Sequence, residues 1–138
     1  MTTSEGARSG PPHFFLNLLR IGAGLTFMQH GVQKLFGALD GRAAPFPSQF
    51  WFAGMLEVWG GLLIVAGLFT RPVAFVLAGE MAWAYTQAHL PQSVYPILNR
   101  GEPAILFMLI WLFIATNGGG AFSLDGMLEL RRRGRAAG

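Results

Sequence analysis

Three ionisable side chains, Lys34, Glu57 and Glu80, stand inside long apolar runs of this chain. The run 50–69 carries Glu57 as its only charge. A carboxylate in the middle of a membrane span costs roughly 2.5–3.5 kcal/mol on insertion scales, so it normally faces a bundle interior and has a partner. His30, Gln33 and Lys34 follow i, i+3, i+4 spacing and share one helical face. Carboxyl and imidazole groups exchange protons, and lysine, amide and imidazole groups hold polar atoms of a ligand. Glu57, His30 and Glu80 are therefore the candidate catalytic residues, as proton carriers. Lys34, Gln33, His89, Glu102 and Asn99 are the candidate substrate-binding residues. Each has a structural reading beside the functional one. Lys34 and Glu57 can form an ion pair that only sets packing, or Lys34 can snorkel to the interface. His30 can simply hydrogen-bond to its neighbours. Asn99-Arg100-Gly101-Glu102 has the spacing of a capping box.

The elements that must position these groups follow from composition. The chain has 138 residues, 52% hydrophobic and 12% charged, against about 25% charged in soluble domains. The deficit points to a membrane protein of one domain. Cysteine is absent, which excludes disulfides, thiolate catalysis and cysteine-held iron–sulfur clusters; no covalently bound cofactor is expected. Much of the basic charge lies in the tail Arg131-Arg132-Arg133-Gly134-Arg135. Beside a hydrophobic body this reads as a topology signal facing anionic lipid, not a nucleic-acid site.

A spanning helix needs about 20 mainly apolar residues. Four segments qualify: 14–39, 50–69, 72–90 and the shorter 103–117. The expected fold is all-α, a transmembrane four-helix bundle over 13–122, with a disordered tail at 1–12 and a short interfacial helix and basic tail at 123–138. Pro45 and Pro47 punctuate the first loop. Thr70 can cap the third helix and Pro72 suits its first turn. Pro91 and Pro96 keep the next loop irregular, and Gly118-Gly119-Gly120 stops the fourth span. Ser123 can cap the final helix, which puts Leu124, Met127 and Leu128 on one face. The first run continues past any good cleavage site, so it is read as retained and not as a signal peptide.

An even number of spans places both termini on one side. Arg8, Arg20, Arg71 and the tail arginines lie there, so the positive-inside rule makes it the cytoplasm. Helix rise then puts Lys34, Glu57 and His30 roughly 6, 10 and 12 Å below the outer edge, with Glu80 near mid-membrane. His89 and Glu102 fall at the outer rim, and Arg20 is expected to snorkel to the inner headgroups. Metal binding is not expected. Haem would need two histidines at matched depth, and His30 and His89 differ by roughly 10 Å. Gly22, Gly24, Gly31, Gly60, Gly61 and Gly67, with Ala74, Ala78 and Ala82, allow close helix approach.

The segments Leu19-Arg20-Ile21-Gly22, Gln29-His30-Gly31-Val32-Gln33-Lys34-Leu35-Phe36-Gly37, Glu57-Val58-Trp59-Gly60-Gly61, Gly67-Leu68-Phe69-Thr70-Arg71, Gly79-Glu80-Met81-Ala82, Asn99-Arg100-Gly101-Glu102 and Gly118-Gly119-Gly120-Ala121-Phe122-Ser123-Leu124-Asp125 occur in this order. In order and spacing the chain resembles the DoxX family of small four-helix bacterial membrane proteins, over about 14–126. Arg100 departs from the family pattern, which more often has a second glycine there. The resemblance implies a bacterial inner-membrane location and a quinone-linked redox setting, with quinone as the expected ligand and a redox protein as partner. Some relatives are described as subunits of quinone-linked oxidoreductases, and many have no known activity. Three functions remain open: a quinone-associated subunit with its polar site in the outer half, a non-catalytic scaffold for a partner complex, and a small-solute or proton transporter acting as a homo-oligomer.

Overall fold

The computed structural model describes residues 11–136. Helix α1 (Pro11–Phe36), α2 (Gln49–Ala66), α3 (Thr70–Ala84), the short α4 (Pro96–Asn99), α5 (Glu102–Asn117) and α6 (Leu124–Ala136) follow one another, and α3 runs on into a π-helical turn, Tyr85–His89. No strand occurs among the described residues. The fold is all-α. Residues 1–10 of the expected tail, Arg8 among them, lie outside the described residues, and Pro11 already belongs to α1. Among the described residues α2 is the one helix that is both long and apolar enough to cross a membrane; α5 is apolar but shorter.

Consecutive long helices run antiparallel and close into a bundle in which α1 packs on α2 and α3 on α5 most extensively. The α1–α2 seam is built of glycine. A Cβ on Gly31 would stand 2.7 Å from the Gly54 carbonyl oxygen and 2.8 Å from the Val58 nitrogen, and one on Gly61 would stand 3.1 Å from the Gly24 oxygen. The two backbones therefore touch, and no side chain can be added between them. Gly22, expected in that seam, faces open space. Phe27, Ile64, Leu77, Trp111 and Ile114 fill the core. Phe27 and Phe107 pack on Trp111 at centroid distances of 5.2 and 5.8 Å.

Ends of helices are capped from elsewhere in the chain. Ser48 Oγ accepts from Trp51 N at 3.2 Å, an ordinary N-cap. Gly67 ends α2 in the left-handed region, φ 70°. Thr70 does not cap α3 as expected: the N-cap is Phe69, with no side-chain bond. Asp125 does it instead, accepting from Phe69 N at 2.9 Å and Thr70 N at 2.8 Å. A carboxylate also suits the positive end of the helix dipole. At the same end of the α3–α5 pair, Arg71 donates to the Thr116 carbonyl in the last turn of α5. Ser123 Oγ accepts from Gly126 N at 3.1 Å, the expected cap of α6. Pro96 opens α4 and does not leave the loop irregular.

Gly31→Ala should destabilise the protein by ~1–3 kcal/mol, the cost of overpacking a closed seam. Gly22→Ala should be neutral or slightly stabilising. Thermal unfolding of the detergent-purified variants checks the pair.

Candidate functional site

Lys34 near the end of α1 and Glu57 in α2 meet across the glycine seam. Lys34 Nζ lies 2.6 Å from Glu57 Oε1, with Lys34 28% exposed and Glu57 2%. The seam explains the contact: a Cβ on Gly54 would meet Lys34 Cβ at 3.0 Å, so the lysine stem lies flat over a glycine. Lys34 does not snorkel outward; it donates to Glu57.

Glu80 faces the same pair. Gly60 of α2 abuts Leu77 of α3, and on antiparallel helices Glu57 and Glu80 each lie three residues further toward the same end. Glu57 and Lys34 both act on Glu80 electrostatically. Glu80 is thus level with Glu57 and not deeper as expected. Depth counted from the turn shared by α2 and α3 explains this, since Glu57 precedes Ala66 by nine residues and Glu80 follows Thr70 by ten. Both Glu80 oxygens and Glu57 Oε2 are buried without a hydrogen-bond partner among the described residues. His30 stands at the same level on the edge of α1, exposed, its ring edge-on to Phe107 at 6.0 Å. One turn further in, Trp111 Nε1 is buried and likewise unpartnered. The four long helices thus contribute His30, Glu57, Glu80 and Phe107 to one layer, with Lys34 above it.

The remaining candidates lie elsewhere. Gln33 turns aside and donates to the Leu39 carbonyl at 2.9 Å. His89 and Asn99 form a separate cluster at the loop between the π-helical turn and α5. His89 Nδ1 meets the Asn99 carbonyl at 2.9 Å, and Asn99 Nδ2 donates to Ser93 O at 2.7 Å and Tyr85 Oη at 3.3 Å. The capping box is not formed: Asn99 Oδ1 accepts from Gly101 N at 2.7 Å, Gly101 is the N-cap of α5, and Glu102 is exposed. Arg100 takes a left-handed conformation, φ 57°, where a glycine fits without strain. Among the described residues no three His, Asp or Glu side chains are arranged to hold a metal ion.

Arg20 overturns its expectation most fully. It does not snorkel but is completely buried. It donates to Gly119 O at 2.9 Å, Phe122 O at 2.9 Å, Val65 O at 2.6 Å, Ile64 O and Asn17 Oδ1. The sequence signal was available: a lone arginine in an apolar span, with a glycine triplet elsewhere to leave carbonyls bare.

An all-helical bundle with an apolar exterior and an acid–lysine layer between its helices is the class these features define. The chain belongs to the DoxX family, whose pattern matches residues 15–90. A Haemophilus influenzae protein described as an uncharacterized protein is 37% identical over 119 residues, 81% of this chain and 89% of its own. No solved structure matches.

Removing one member of a buried ion pair strands the other and costs about 3–5 kcal/mol, whereas replacing both with apolar groups can be nearly neutral. Lys34→Met should therefore destabilise the fold more than Lys34→Met combined with Glu57→Leu. A thermal double-mutant cycle reads the difference.

Proposed function

We propose that this DoxX-family chain is a four-span inner-membrane protein with both termini cytoplasmic, and that it serves quinone-linked redox metabolism as a subunit handling protons at the Lys34–Glu57–Glu80 layer. The membrane reading is supported by the exterior: Phe75 is 68% exposed, Leu106 58% and Trp59 56%. Large apolar side chains at this density on every long helix suit lipid rather than water. Helix α5 spans roughly 24 Å at ~1.5 Å per residue, and local bilayer thinning accommodates so short a span.

The observation that carries the proton role is Glu80, whose two buried oxygens have no partner among the described residues while facing an ion pair. One lysine against two carboxyls is electroneutral when the layer holds one extra proton. Taking up or giving up that proton is the elementary step these residues can perform. Glu57, anchored by Lys34 through one oxygen, keeps its other oxygen available for the exchange. A bound quinone would supply two-electron redox chemistry, with electrons passing to or from a partner protein. Lys34 and Trp111 Nε1 would donate to its oxygens, and His30 would stand at the lipid-facing edge of the layer.

Glu80→Gln should lower quinone-dependent respiration at least tenfold in membranes where it replaces the native chain, with the unfolding midpoint little changed. Full activity in that variant would remove the proton role. The Lys34–Glu57 bridge beside the glycine seam favours a second reading, a scaffold whose polar layer only fixes packing. An intact partner complex with undiminished turnover in both Glu80→Gln and Glu57→Gln is what that reading expects.

A further inference from the structure

At the opposite end of the bundle a cleft of about 540 Å³ opens where the start of α3, the glycine loop after α5 and α6 meet. Its volume lies within the roughly 300–1,000 Å³ of small-molecule sites. We infer that this cleft binds a phosphoryl group, carried by a phospholipid of the leaflet in which α6 lies. Placing it at the membrane surface rests on the four-span reading; the recognition chemistry does not.

Two observations from different elements point to a ligand. Thr70 is fully buried and its Oγ1 has no partner among the described residues; His13, from α1, is half-buried, with its Nδ1 atom buried and likewise unpartnered. Both residues line this cleft. Unpartnered buried polar atoms are rare in folded proteins and call for an explanation. Here a hydroxyl and an imidazole converge on one space.

The charges around the cleft decide the sign of what enters. Asp125 is committed: its two oxygens accept from Phe69 N and Thr70 N, and Arg20 lies within its electrostatic reach. Glu129 is ion-paired to Arg133. Arg71 donates only to the carbonyls of Ala115, Thr116 and Asn117, and no carboxylate lies within ion-pair distance of it among the described residues. Its guanidinium rests against the loop, since a Cβ on Gly118 would meet Arg71 Nε at 3.2 Å. The uncompensated charge is therefore cationic. An anion that meets the Arg71 fork, the Thr70 hydroxyl and the His13 ring at once needs acceptors pointing in several directions. A phosphodiester sets two anionic and two weaker ester oxygens at the corners of a tetrahedron, where the two oxygens of a carboxylate lie in one plane.

The site is separate from the arginines of α6. Those residues are exposed on a helix whose Leu124, Met127 and Leu128 are also exposed, and they attract any anionic surface. The cleft instead selects one group. A free phosphate ester carries the same chemistry, so the test must tell the two sources apart.

The experiment uses the full chain in detergent. Native mass spectrometry reads retention of phosphatidylglycerol against diacylglycerol, which lacks the phosphoryl group, and thermal shift reads glycerol 3-phosphate. The native chain is expected to retain phosphatidylglycerol at least tenfold over diacylglycerol. Thr70→Val and Arg71→Gln should abolish that preference, Thr70→Ser should keep it, and replacing Arg131, Arg132 and Arg135 together with glutamine, which leaves the Glu129–Arg133 pair in place, should leave it largely intact. A midpoint raised by glycerol 3-phosphate without lipid retention, lost in Thr70→Val, supports the same site with a soluble ligand. Equal retention of both lipids, or a preference lost with the tail variant and kept in Thr70→Val, overturns the proposal. Failure of the membrane reading shows separately, as release of the chain from membranes by alkaline carbonate.

Discussion

The guanidinium of Arg20 is buried without a carboxylate in hydrogen-bond contact among the described residues, and a charge in that position must find acceptors or cost several kcal/mol. It finds backbone carbonyls. Ile64 and Val65 lie in the last turn of α2, where carbonyls lack i+4 amide partners and Ile64 O is shared with the Gly67 amide, and Gly119 and Phe122 lie in the loop that leaves α5. One side chain thus ties α1 to the end of α2 and to the approach to α6. Gly67 allows this proximity, because a Cβ there would stand 3.1 Å from Arg20 Nη1 and 2.4 Å from Ser123 Cβ. The position of α6, and through Asp125 the first turn of α3, depends on that arrangement.

The two buried cations, Arg20 and Lys34, are satisfied differently. At the Arg20 end, charge is absorbed by backbone groups and every guanidinium nitrogen has an acceptor. At the Lys34 end, charge meets charge, and three carboxyl oxygens are left without a partner among the described residues. Fully satisfied networks rigidify, whereas partly satisfied ones have a proton or a ligand still to place. That contrast sets the fully bonded Arg20 cluster apart from the Lys34 layer, on which the proposed proton role rests.

Much of this was legible in the sequence. Apolar run lengths located the four long helices to within a few residues, and the isolated charge of Glu57 required a partner that the i, i+3, i+4 face of α1 supplied as Lys34. Ser123 announced its helix correctly. Two of the failures, Arg20 and Thr70, share a cause: each depended on a group distant along the chain. Arg20 was assigned to headgroups because carbonyls some hundred residues later are invisible to local pattern. Thr70 was assigned a cap that Asp125 provides. Asn99 was read as a helix cap when its amide instead ties the end of α4 to Tyr85 and Ser93. Nothing in the pattern of 85–89 distinguishes a π-helical turn from the α-helix preceding it.

The capping of α3 by Asp125 also has a consequence for how the chain is made. The cap lies 55 residues beyond the amide it serves. At about 5–20 residues per second it emerges from the ribosome roughly 3–11 s after Thr70. Until then the first amides of α3 lack their final acceptor, so α3 reaches its finished state only when synthesis of the four long helices is complete. The start of α6 acts as the closing element of assembly, and a chain stopped after α5 carries all four long helices without the residue that completes the third.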